Sequence, residues 1–208
     1  MTDFTTFLKD NLPENLPGAA AQLKMAPQHN SDDRFDIPCG VRHNGVLILL
    51  HHSRNNPHII FTLRSANLLD HSGQICYPGG SSEPHETLQE AALRELREEI
   101  GIELTPEQII GKLTPLYVPP SGNLIHPFIA FRETLPPLKL QPDEVSEAFP
   151  IALEDLISPK NKTSELWNYK GKSIEVPYWT LHSVPLWGAT AMITSELTEL
   201  YKQYRNIA

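Results

Sequence analysis

Cysteine is scarce in this 208-residue chain: there are two, Cys39 and Cys76, far apart and without metal-ligand spacing. A disulfide framework and a zinc ribbon are both excluded on that count. A thiol nucleophile made of Cys76 and His71 is set aside, because a cysteine within an apolar strand pattern usually serves as a small buried hydrophobe. Long apolar runs are lacking as well, and none approaches the roughly 18 residues that a membrane-spanning helix requires. The start, "MTDFTTFLKDNLPENL", lacks the basic opening and apolar stretch of a secretory signal, so a cytoplasmic location with no membrane partner is expected. Positive charge is in deficit, with 17 Lys and Arg against 25 Asp and Glu and a net charge of -8. Affinity for nucleic acid comes mainly from neutralised phosphates, so no nucleic-acid partner is expected. An anionic substrate would need a local cation.

What is present reads as one domain preceded by a lead-in. Residues 1–35 hold a short amphipathic helix, Phe4 to Leu12, and a polar, proline-interrupted segment; residues 36–208 are the domain. "GVLILL" (45–50) and "HIIFTLR" (58–64) form a strand pair about the turn-like "HHSRNNP". "QICYPGG" (74–80) is a short strand that must turn sharply at its glycines. A helical period starts at Thr87, aligns Leu93, Leu96 and Ile100, and stops at Gly101. "IIGKLTPLYVP", "IHPFIAFRE" and "SIEVPYWTL" read as further strands, "EVSEAFPIALEDLIS" as mostly helix, and "GATAMITSELTELYKQY" as a terminal amphipathic helix. Strands around one central helix, with another helix at the end, predict an α/β sandwich with a mixed sheet between helical layers.

The central helix poses a problem of charge. In "RELREEIGI" (94–102), Glu98 and Glu99 lie roughly 60° and 40° to either side of Glu95, so three carboxylates leave one face. Repulsion at that spacing costs on the order of 1 kcal/mol per pair in partly solvated surroundings. A solvated face knitted by pairs such as Arg94 with Glu98 is one resolution. A divalent cation is the other. Clustered carboxylates without imidazole or thiolate suit Mg²⁺ or Mn²⁺, and Mg²⁺ commonly completes its shell with phosphate oxygens. The glycine turn at a set distance upstream favours the cation, because a solvated face has no need of it.

The spacing from Gly80 through Glu86 to Arg94–Ile102 resembles the Nudix box, G-x5-E-x7-R-E-U-x-E-E-x-G-U with U aliphatic, and all nine specified positions match. The resemblance implies a Nudix α/β/α sandwich and hydrolysis of a nucleoside diphosphate linked to another group. It implies Glu95 and Glu99 as principal metal ligands and Glu98 as a further ligand or the base acting on water. Arg94 would orient the glutamates, Glu86 would support that network, and the Gly80 turn could lend a carbonyl to the metal.

The segment "FTLRSANLLDHSGQICYPGG" (61–80) is similar to the signature of coenzyme A pyrophosphatases, matching at Thr62, Arg64, Ser65, Gly73, Pro78, Gly79 and Gly80 and in the run His71–Gln74. It departs at Leu69, where that family has an arginine, and at Tyr77, where it has phenylalanine. Leucine cannot make a bidentate phosphate contact. "PPSGNLIHPFIAF" (119–131) and "VPLWGATAMITSELTEL" (184–200) extend the resemblance toward the C-terminus. It implies Mg²⁺- or Mn²⁺-dependent hydrolysis of coenzyme A or a derivative to 3′,5′-adenosine bisphosphate and 4′-phosphopantetheine. A small nucleoside diphosphate is the expected partner, and a homodimer is compatible with it. Arg64, His71 and Gln74 are substrate-binding candidates, although each has a structural alternative: an ion pair, a turn hydrogen bond or a cross-sheet bond. Trp187 reads as a core anchor rather than a base-stacking platform. Glu144 and Glu147 in "QPDEVSEAF" are secondary candidates for the base, behind Glu98. Leu69 keeps a second substrate reading open, ADP-ribose or another nucleoside diphosphate derivative. A non-catalytic nucleotide sensor would show lost box glutamates, and none is lost.

Overall fold

The computed structural model describes residues 3–12, 14–28, 36–53, 56–68, 71–169 and 171–207. Leu69, the position at which the substrate signature departs, lies outside the described residues. The central feature is an eight-stranded mixed sheet. Strands β1 (Arg42–Ser53) and β2 (Asn56–Arg64) pair antiparallel as a hairpin, with Leu49 opposite Ile60. Beyond that register the two strands part. The gap is filled by β3 (Ile75–Cys76), which pairs with the end of β2, and by β4 (Gly79–Ser81), which pairs with the start of β1. "QICYPGG" is thus two strands broken at Pro78, whose missing N–H cannot serve a ladder. The break delivers Gly79 and Gly80 to the middle of the sheet.

On the far side of β1 runs β7 (Asn123–Arg132), parallel to it over ten residue pairs from Arg42–Asn123 to His51–Arg132. β5 (Ile109–Lys112) and β6 (Leu116–Val118) pair antiparallel with β7. β8 (Val145–Ala152) closes the other edge by pairing with β2. The expectation of mostly helix over 144–158 is corrected here: only α4 (Leu153–Ile157) is helical. Glutamates and alanines favour a helix locally, but Val145 and Ile151 are buried against the sheet, and pairing with β2 overrides propensity. Pro150 is tolerated because β8 is an edge strand. A second hairpin, β9 (Lys162–Tyr169) with β10 (Lys172–Trp179), packs beside the sheet; β9 had no clear apolar signal.

Two cores lie on the two faces. Helix α3 (Leu88–Ile100) covers one, burying Ala92, Leu93, Leu96 and Ile100 against Leu47, Leu49 and Ile60. Thr87 and Glu90 form a capping box, with Thr87 Oγ1 accepting from the Glu90 N–H at 3.2 Å and Glu90 Oε2 accepting from the Thr87 N–H at 2.8 Å. Gly101 ends the helix in the left-handed region at φ 74°. Helix α5 (Gly188–Arg205) covers the opposite face together with α1 (Asp3–Asn11), α2 (Gly18–Leu23) and α4. Phe4 and Leu8 of the lead-in are buried in this core, Phe4 edge-on to Tyr201 at 4.9 Å. The architecture is the α/β/α sandwich with a mixed sheet that the sequence implied.

Candidate active site

Helix α3 sits directly on the split between β1 and β2, and the contact is close because two glycines allow it. A Cβ on Gly45 would collide with the Leu88 carbonyl, and one on Gly80 would collide with Glu95 Oε1. The glycine turn therefore sets how near the box glutamates approach the sheet. Arg94 then organises them. Its Nε and Nη2 donate to the two oxygens of Glu86 at 2.9 and 3.1 Å, and Nη1 donates to Glu95 at 2.9 Å and Glu98 at 3.1 Å. Nη2 also donates to the Ser81 carbonyl at 3.1 Å. Every N–H of the guanidinium is thereby used, leaving Arg94 none to spend on a substrate. Glu86 accepts a further bond from the Glu83 N–H at 2.8 Å, and its bonds to Arg94 hold its pKa below the usual carboxylate range.

The helix presents its glutamates to different surroundings. Glu98 is half exposed and shared between Arg94 and Arg97. Glu95 is partly buried, and burial raises its pKa against the pull of Arg94. Glu99 is 2% exposed, and its Oε2 is buried with no hydrogen-bond partner among the described residues. Burial first, and the Glu95 charge second, push its carboxyl up to about 8, opposed by the Gly79 N–H and by Arg64. A buried carboxylate without a full set of partners is costly unless a cation joins it.

A third carboxylate meets these two from another element. Ligand oxygens of Glu95, Glu99 and Glu144 lie within 4.8 Å of one another. Glu144 arrives on the loop before β8, whose backbone is tied to both sides of the site: Ser65 N donates to the Glu144 carbonyl at 2.8 Å, and Gln141 N to the Glu99 carbonyl at 2.9 Å. The sequence named Glu144 as a base candidate and Glu98 as the likelier third member. In the structure it is Glu144 that joins the group, and Glu98 lies outside it. No local signal set Glu144 apart from Glu147 or placed it beside Glu95 and Glu99, because its position depends on pairing between β2 and β8, far apart in sequence. Glu147 turns elsewhere, toward His182 Nε2 at 3.3 Å. The donor set, three carboxylates with neither imidazole nor thiolate, fits a hard divalent cation.

Arg64 ends β2 beside this group, close enough to influence Glu99, and its Nε is buried without a hydrogen-bond partner among the described residues. His71 and Gln74 are bonded to each other, Nδ1 to Oε1 at 3.0 Å, at the tip of the turn joining β2 to β3. They are not drawn into the glutamate group. Cys76 is no nucleophile: it bonds with Thr62 Oγ1 at 3.1 Å, and burial pushes its thiol up to about 11. Tyr77, the other departure from the signature, has a buried partner. Thr194 Oγ1 donates to the Thr190 carbonyl at 2.7 Å, so the Tyr77 hydroxyl donates to Thr194 at 2.6 Å. Trp187 is partly buried and packs edge-on against Trp167 at 5.0 Å.

The comparisons agree with the fold. The NUDIX domain model matches residues 41–170. The human protein "Mitochondrial coenzyme A diphosphatase NUDT8" is 30% identical over 190 residues, covering 89% of this chain and 74% of its own length. Its mouse counterpart is 34% identical over 158 residues, 74% of each chain. An uncharacterized Nudix hydrolase, NudL of Photorhabdus laumondii, is 30% identical over 182 residues, covering 86% of this chain and 91% of its own. Among solved structures, a MutT/nudix family protein from Enterococcus faecalis aligns with a TM-score of 0.55 at 15% identity, covering 86% of this chain and 66% of that one. This chain thus spans just under two thirds of that protein, and the likeness shows the fold. Among the described residues no helix is long and apolar enough to cross a membrane. A complete Nudix box on the matching fold, with relatives spanning most of the chain, makes this protein a member of the NUDIX domain family, a pyrophosphohydrolase of its coenzyme A pyrophosphatase-like branch.

Proposed function

We propose that this protein hydrolyses the diphosphate linkage of coenzyme A or its derivatives, giving 3′,5′-adenosine bisphosphate and 4′-phosphopantetheine. The observation that carries the chemistry is the meeting of Glu95, Glu99 and Glu144 around the unpartnered Oε2 of Glu99. The substrate reading rests on the signature around Arg64 and on the relatives named coenzyme A diphosphatase.

Glu95, Glu99 and Glu144 would hold Mg²⁺ or Mn²⁺, with the Gly80 carbonyl a further donor. Such a cation neutralises diphosphate charge and acidifies a bound water. Arg94 and Glu86 keep the carboxylates in place without touching substrate. Glu98, outside the group and open to solvent, is the base that takes the proton of the attacking water. Arg64 grips phosphate through a guanidinium whose Nε has no acceptor among the described residues. His71 and Gln74, one bonded pair on the β2–β3 turn, contact the rest of the substrate.

The test is a substrate panel with Mg²⁺ or Mn²⁺: coenzyme A, dephospho-coenzyme A and ADP-ribose. Coenzyme A is expected to be cleaved with the highest kcat/KM. Equal or faster cleavage of ADP-ribose would overturn the substrate and leave the pyrophosphohydrolase chemistry standing. The cytoplasmic location expected from the sequence is checked by fractionation, against the mitochondrial location in the names of the human and mouse relatives.

A further inference from the structure

The β1–β2 hairpin carries three histidines in "HHSRNNPH" that the chemistry above leaves unused. Strand alternation sends His52 to the α5 face, where it lies edge-on to Phe131 at 5.4 Å. His51 and His58 stand opposite each other in register on the α3 face. Their ring centroids are 5.5 Å apart, with planes inclined by 37°.

Two features set this pair apart. His51 Nδ1 lies 3.3 Å from the His52 carbonyl, and His58 Nδ1 lies 2.9 Å from the Asn56 carbonyl. A carbonyl oxygen only accepts, so both rings carry their proton on Nδ1 and keep a lone pair on Nε2. In addition, His51 is 7% exposed and its Nε2 is buried with no hydrogen-bond partner among the described residues. Leaving such an acceptor bare is costly, because its hydration is lost with nothing in exchange. The other close pair, His43 and His126, has no such deficit, since one ring nitrogen bonds the other at 3.0 Å.

We propose that His51 and His58 form a second metal site, separate from the glutamate group, for a borderline divalent ion of the Cu²⁺ or Zn²⁺ class. Two imidazoles bound through Nε2 at about 2.0–2.1 Å around a tetrahedral ion have ring centroids about 5 Å apart, close to the separation here. Imidazole donors select Cu²⁺ and Zn²⁺ over Mg²⁺, so the two sites would divide metals by hardness. Anchoring of Nδ1 on a backbone carbonyl is the outer contact that orients metal-binding histidines. Burial also lowers the His51 pKa, which keeps the ring in the neutral, ligating form.

The probe is Cu²⁺ alone, added below stoichiometry to chelator-treated full-length protein in excess Mg²⁺, which occupies carboxylates and not imidazoles. Electron paramagnetic resonance is expected to show coupling to two nitrogens. The coupling is expected to persist in Glu99→Gln and in His43→Ala, and to disappear in His58→Ala, whose ring is only partly buried. His51→Gln, which keeps a polar group in the buried position, should lose it too, with circular dichroism confirming the fold. Oxygen-only coordination in the parent protein, or two-nitrogen coupling that survives His58→Ala, would overturn the proposal.

Discussion

Two buried glutamates on opposite faces of the sheet have opposite surroundings. Glu196 of α5 is 0% exposed, and donors surround it: Gly18 N at 3.1 Å, Gln22 Nε2 at 2.9 Å, Thr114 Oγ1 at 2.7 Å and Thr114 N at 3.3 Å. Glu99 of α3 is 2% exposed and has a bare Oε2 beside two other carboxylates. Burial alone therefore says little about a carboxylate. Glu196, satisfied by donors, clasps the lead-in and the loop at Thr114 to α5. Glu99, left short of donors among like charges, stores a cost that a cation would relieve. One is a clasp and the other a site.

The strongest way to break this contrast is Glu99→Gln. We expect hydrolysis to fall by roughly 10³-fold or more, since several kcal/mol of charge stabilisation at the cation depend on it. Circular dichroism and Tm should be unimpaired, because the variant removes an uncompensated charge. Steady-state turnover with Mg²⁺ checks this, and undiminished turnover would remove Glu99 from the metal site.

Glu196→Ala should do the reverse. It strands the donors of Gln22 and Thr114 in the core, at a cost of about 3 kcal/mol read from urea unfolding. kcat per folded molecule should stay near that of the parent protein. A large drop in kcat with unchanged stability would erase the distinction.

A third effect is in pH. The Glu99 carboxyl has a folded-state pKa of about 8, raised above the usual carboxylate value. A raised acid binds protons more tightly in the folded state, so its contribution is present at low pH and lost as pH climbs toward 8. Metal-free protein should thus lose stability between about pH 4.5 and 8, by a few kcal/mol at most. Added Mg²⁺ or Mn²⁺ should restore it at the alkaline end. Thermal melts across that range, with and without metal, make the comparison; Glu99→Gln should flatten the slope.

Legibility followed range along the chain. Helix α3 was readable because its cap at Thr87, its period and its stop at Gly101 are all local. The hairpin of β1 and β2 and the terminal helix α5 were readable for the same reason. Segment 145–152 departs from its helical expectation because its strand state is imposed by β2, some eighty to ninety-five residues earlier. The site divides along the same line. The Arg94–Glu98 pair follows from i,i+4 spacing on one helix, whereas service of Arg94 to Glu86 and Glu95 was implied by the resemblance to the Nudix box. Tyr77 looked like a mild departure, and only the packing of α5 shows that Thr194 receives its hydroxyl.

By itself, the sequence determined the family, the carboxylate face of α3 and the guanidinium that orders it, since helix period and glycine turns are short-range properties. Only the tertiary structure decided which carboxylates meet. It drew Glu144 in through the β2–β8 pairing, left Glu98 at the rim and buried Glu99 short of donors. Burial and desolvation depend on what the whole chain packs around a group, and no local pattern encodes that.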